Sequence, residues 1–84
     1  MKEAKLTSQG TKILELLKAE RKEMNFSQIS SAVEMDKELT LINLNNLEKG
    51  GYVTGKFKEE NEEDKPFLIR YFSITEKGLT YPTD

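Results

Sequence analysis

The stretch KEENEEDK, Lys58 to Lys65, sets five carboxylates (Glu59, Glu60, Glu62, Glu63 and Asp64) into six consecutive positions. Oxygen ligands at that density are the material of calcium sites, and paired carboxylates that of general acid–base catalysis. The run lacks the alternating acids and central glycine of an EF-hand loop. On a charged turn its carboxylates are solvated, which suits neither chemistry. The chain contains no His and no Cys. That removes the side chain best matched to proton transfer at neutral pH, the commonest nitrogen ligand for metals, thiolate zinc sites and disulfides. A Ser or Thr nucleophile would need a Lys or carboxylate base, and neither a Gly-rich phosphate loop nor a nucleophile elbow is present. The reading is therefore of a binding protein, with no enzyme chemistry, no metal and no cofactor.

Length and charge narrow the class of binder. Eighty-four residues make one small domain with a modest core. The N-terminal MKEAKLTSQG has no apolar signal region and no apolar run approaches membrane-spanning length, so a cytoplasmic protein without a membrane partner is expected. The net charge of −2 argues at first against nucleic acid. Residues 59–65 carry −4 of it, from five acids and Lys65, which leaves the rest of the chain at +2. The body is mildly basic and the acidity is local.

The elements that must hold these charges follow from periodicity. LTSQGTKILELLKAERKE predicts a helix over about 8–22, capped by Thr7 or Ser8, with Ile13, Leu14, Leu16 and Leu17 on one side. After a polar break at 22–25, FSQISSAVEM predicts a short helix over about 26–34, with Phe26, Ile29 and Val33 recurring, Ala32 beside them and Ser27 as cap. Asp36 is a suitable cap for a third helix over 37–49, ended by Gly50-Gly51. YVTGKFK and PFLIRYFSI read as strands over about 52–58 and 66–74. The acidic run 59–65 joins them as a hairpin tip, and TEKGLTYP suggests a last helical turn capped by Thr75 before Pro82. The class is α+β in a single domain, 1–84.

Specific residues in this order carry a resemblance. LTSQGTKILELL resembles the scaffold helix of MarR- and ArsR-type transcriptional regulators, and FSQISSAV their first helix-turn-helix segment. DKELTLINLNNLEKGGYV is similar to a recognition helix running into a wing strand, and YFSITEKG to the second wing strand with its closing turn. The resemblance spans nearly the whole chain and implies a winged helix-turn-helix, three helices with a two-stranded wing. It implies double-stranded DNA as partner, with the third helix in the major groove. Leu47, Tyr52, Val53 and Ile74 would serve any winged-helix core, whatever it bound.

A helical projection of 37–49 turns Thr40, Asn43, Leu44 and Leu47 inward and leaves Glu38, Leu41, Ile42, Asn45 and Lys49 outside. Asn45 has the geometry for a bidentate contact with adenine, and Lys37 and Lys49 for phosphate. Lys56, Lys58, Lys65 and Arg70 on the strands add positive charge that would reach a phosphate backbone if the acidic tip bent away. Leu41 and Ile42 depart from the small polar or basic residues usual in these families. They either pack beneath the wing or the N-terminal segment, touch thymine methyl groups, or form an apolar patch for a protein partner.

The acidic tip is read as a solvated turn that discourages edge pairing. With Glu59, Glu60, Glu62, Glu63 and Asp64 it would repel phosphate, so it is not expected to touch DNA. Its alternative use, with Leu41 and Ile42, is contact with a basic protein surface, and a divalent-cation site is the remotest reading. Few residues flank the predicted elements, and both a monomer and a homodimer through the first helix or a strand are compatible with the sequence.

Overall fold

A computed structural model describes residues 6–81. The N-terminal residues 1–5 and the tail with Pro82 lie outside the described residues. Helix α1 is Ser8–Glu20, strand β1 Met24–Asn25, helix α2 Phe26–Val33, helix α3 Lys37–Lys49, strands β2 and β3 Val53–Glu62 and Lys65–Ile74, and helix α4 Glu76–Thr80. The strands form one antiparallel sheet in the order β1-β3-β2.

Local chemistry explains where the helices begin and end. The Thr7 side chain accepts from the Gly10 amide and caps α1, which stops where Arg21 turns left-handed at φ +53°. In α2 the cap is Asn25, not Ser27: Asn25 and Gln28 exchange side-chain and backbone bonds in a full capping box. The preceding break at 22–25, expected to be irregular, contains β1, whose Met24 pairs with Phe72. A two-residue strand is too short for periodicity to reveal. Asp36 holds the cap position of α3, but its side chain makes no capping bond there. Beyond α3, Gly51 adopts φ +82°, the conformation that lets the chain turn sharply into the sheet.

The core lies where three helices meet the base of the sheet. Ile13, Leu14 and Leu17 of α1, Ile29 and Val33 of α2, Leu44 and Leu47 of α3, and Val53 and Phe72 of the sheet are all buried. The inward face of α3 is the one its periodicity predicts, with Thr40, Asn43, Leu44 and Leu47 buried. Buried Asn43 is satisfied twice, donating to the Leu39 carbonyl at 2.9 Å and accepting from the Thr7 hydroxyl at 2.9 Å. The α1 cap is thereby tied to α3. Ala32 is exposed.

The hairpin differs most from expectation. Its strands run unbroken to Glu62 and from Lys65, so Glu59, Glu60 and Glu62 are strand residues and only Glu63 and Asp64 form the turn. Both turn residues have positive φ, +50° and +63°, the signature of the two-residue turn whose twist matches that of the flanking strands. With ten residues in each strand, the wing stretches the molecule to 50 Å against 23 and 22 Å in the other directions.

Candidate nucleic-acid interface

The outward face of α3 is open. Lys37, Glu38, Leu41, Ile42, Asn45 and Lys49 are all exposed, Leu41 by 43% and Ile42 by 56%. Ile42 therefore does not pack beneath another element. Leu41 reaches further toward the wing and borders a groove of about 450 Å³ that Phe26, Phe57, Leu68, Arg70 and Phe72 also line.

The strand register decides which wing residues share that side. Side chains alternate along a strand, and antiparallel partners project together. Gly55↔Phe72, Phe57↔Arg70 and Glu59↔Leu68 lie on the face toward the helices, and Lys56↔Tyr71, Lys58↔Ile69 and Glu60↔Phe67 on the other. Lys37, Asn45 and Lys49 are thus brought onto one helix face, while Lys56 and Lys58 sit on the far side of the wing. The same alternation separates Glu59 from Glu60 and Glu62. Among the described residues no three acids converge in a way that could hold a metal ion.

Several charges are already engaged. On the far face Lys58 donates to Glu23, and this bond holds the Glu23 carboxyl below its ordinary proton affinity and the Lys58 ammonium above its own. Tyr71 donates its hydroxyl to Glu60 at 3.0 Å. On the helix-facing side Arg70 is clamped by Glu48 of α3 through one guanidinium nitrogen to both carboxylate oxygens, and it lies over the rings of Phe57 and Phe72 at 5.8 and 5.1 Å. Arg70, read as available to a phosphate backbone, instead braces the wing against α3. Its Nε is buried without a hydrogen-bond partner.

The sequence underestimated the groove. Phe57 shares the parity of buried Val53, which makes it look like core, yet it is 66% exposed, as is Leu68. A strand advances about 3.3 Å per residue, so Phe57, four residues out from buried Val53, lies at the edge of the core, where it borders the groove with Phe26 and Leu41. The Arg70–Glu48 pair had no local signal, since its partners lie on different elements.

The two sequence pieces behind the family resemblance meet at the base of the wing. Thr75 donates its backbone amide to the Tyr52 carbonyl at 3.0 Å and its hydroxyl to the Gly51 carbonyl at 2.6 Å, and Lys77 donates to the Gly50 carbonyl at 2.8 Å. LEKGGYV and ITEKG are thus two halves of one closure that holds the wing to α3.

Three packed helices, the second and third in a helix-turn-helix, with a β-hairpin after the third, make this a winged helix-turn-helix domain. No protein-family model matches the chain, and no curated protein matches its sequence. Solved structures do. The zinc-responsive MarR family member ZitR of Lactococcus lactis superposes with a TM-score of 0.70 at 23% identity, over 93% of this chain and 49% of that one. MepR, a transcription regulator of the Staphylococcus aureus multidrug efflux pump MepA, gives 0.65 at 16% identity, over 88% of this chain and 50% of that one. The fold is that of MarR-type regulators, and the chain spans about half the length of the regulators it matches. Among the described residues, no helix is long and apolar enough to cross a membrane.

Proposed function

We propose that the domain binds double-stranded DNA as a transcriptional regulator, with α3 in the major groove. The observation that carries this reading is the division of α3 into a buried face and an open one presenting Lys37, Asn45 and Lys49, on the helix that reads DNA in helix-turn-helix proteins. The likeness in fold to ZitR and MepR supports it. Asn45 is assigned to base recognition and Lys37 and Lys49 to phosphate. Leu41 and Ile42 suit thymine methyl groups. Lys56 and Lys58 face away from α3 and would reach a duplex only if it curved around the wing.

Fluorescence anisotropy of a labelled duplex, titrated at low ionic strength and again with added salt, tests the proposal. Salt-sensitive binding is expected. Lys49→Ala should weaken binding to any duplex and lower the salt slope by about one. Asn45→Ala should cost about 1–3 kcal/mol against the preferred sequence alone. Unchanged affinity in both variants removes this face from the interface, and no binding even at low salt removes DNA.

The apolar groove supports a second reading, a protein-interaction module using Leu41, Ile42 and the acidic end of the wing (Glu59, Glu60, Glu62, Glu63 and Asp64). It would be favoured by a domain that ignores DNA and loses a protein partner on Leu41→Ser while staying folded.

A further inference from the structure

The outer edge of β2 is open. It is the last strand of the sheet, and among the described residues no element pairs with its far side. Open edges are usually blunted by proline, by a bulge or by brevity. None of these protects β2, which runs ten residues in unbroken one-to-one register with β3 and contains no Pro. The free stretch of β3 beyond β1 differs, since it carries Pro66.

Charge is the remaining device, and its order along β2 is not random repulsion. On the face away from the helices the strand presents Lys56, Lys58, Glu60 and Glu62 in succession, two cations followed by two anions. We infer that β2 is a self-complementary edge that pairs antiparallel with β2 of a second copy of this chain, about a two-fold axis through Glu59. That axis is perpendicular to the sheet, so like faces stay together. Lys56 then lies opposite Glu62 and Lys58 opposite Glu60, each twice by symmetry; on pairing, Lys58 exchanges its bond to Glu23 and Glu60 its bond from Tyr71 for these partners. Moving the axis to Lys58 or Glu60 keeps only two of the four oppositions, while each of the three registers sets one like-charged pair on its axis, so the oppositions decide between them. A parallel pairing in register would oppose every charge to its own kind. The pattern therefore selects one register as well as one partner. Its cost is the pair of Glu59 side chains that meet at the axis on the other face, where Phe57 stands opposite Asn61.

The result is a continuous six-stranded sheet. Because the axis is normal to it, the helices of both copies lie on the same side, so both α3 helices can address a common surface. The inference stands on the strand alone and does not require the DNA reading.

Sedimentation velocity of the 84-residue chain over a concentration series tests it. Wild type should show a monomer–dimer equilibrium that weakens with salt. Lys56→Glu/Lys58→Glu and Glu60→Lys/Glu62→Lys should each weaken dimerisation on the order of tenfold or more. An equimolar mixture of the two should restore a heterodimer, because every opposition is then complementary. Circular dichroism checks that each variant is folded, and Lys56→Gln/Lys58→Gln replaces a charge reversal that unfolds the domain. A wild type that stays monomeric at low salt, variants that dimerise like wild type, or a mixture that does not associate would each overturn the inference.

Discussion

Gly78 has no room for a side chain. A Cβ there would sit 2.4 Å from the Tyr52 carbonyl oxygen and 2.7 Å from Ile74 Cγ1, and the first of these contacts is backbone that cannot swing aside. Gly78→Ala should therefore destabilise the domain by about 1–3 kcal/mol, read as a lower urea midpoint at unchanged slope. At Gly55 the clash would be with the guanidinium of Arg70, a mobile group, so the loss there is the Glu48 clamp. Glu23 and Lys58 show what a surface pair does with pH. The depressed Glu23 carboxyl contributes stability above the ordinary carboxylate range, lost as pH falls through its lowered value. Raised Lys58 contributes below the ordinary lysine range, lost as pH rises through its elevated one. Glu23→Gln should thus lower the melting temperature slightly near neutral pH and leave it unchanged in acid.

At the scale of elements, the wing turn is where sequence and geometry fit least well. Glu63 and Asp64 occupy left-handed backbone that Asn-Gly would adopt with less strain. Replacing them with Asn-Gly should stabilise the hairpin by about 0.5–2 kcal/mol, seen as a higher urea midpoint. The turn as it stands exchanges that stability for charge at the far end of the wing. Helix α3 is the opposite case, since its inward residues are legible from a 3.6-residue repeat. The reach of β2 and β3 was not legible, because a run of acids reads as a loop by composition and only pairing with Phe67, Leu68 and Lys65 makes it strand.

For the molecule as a whole, a net charge of −2 is set against a basic remainder, and distance is what reconciles them. The turn acids sit at the tip of a wing that gives the protein its 50 Å length, well beyond a screening length of about 8 Å at physiological salt from the wing's base. The Asn-Gly turn variant should accordingly bind a duplex more tightly than wild type at low salt, and the two anisotropy curves should converge as salt is added. Equal affinities at low salt would show that the tip lies outside the field felt by DNA.

The sequence by itself determined the elements whose information is local: three helices from the spacing of Ile13, Leu14, Leu17, Ile29, Val33, Leu44 and Leu47, a hairpin from two strand-forming runs, and the outward placing of Asn45 and Lys49. Burial follows the repeat wherever one face of an element meets a core. Tertiary structure decided what depends on partners distant in sequence: that Arg70 belongs to Glu48, that Lys56 and Lys58 turn away from α3, and that Phe57 and Leu68 open a groove. Those outcomes rest on strand register and on where the core ends, and neither is written in any one stretch of residues.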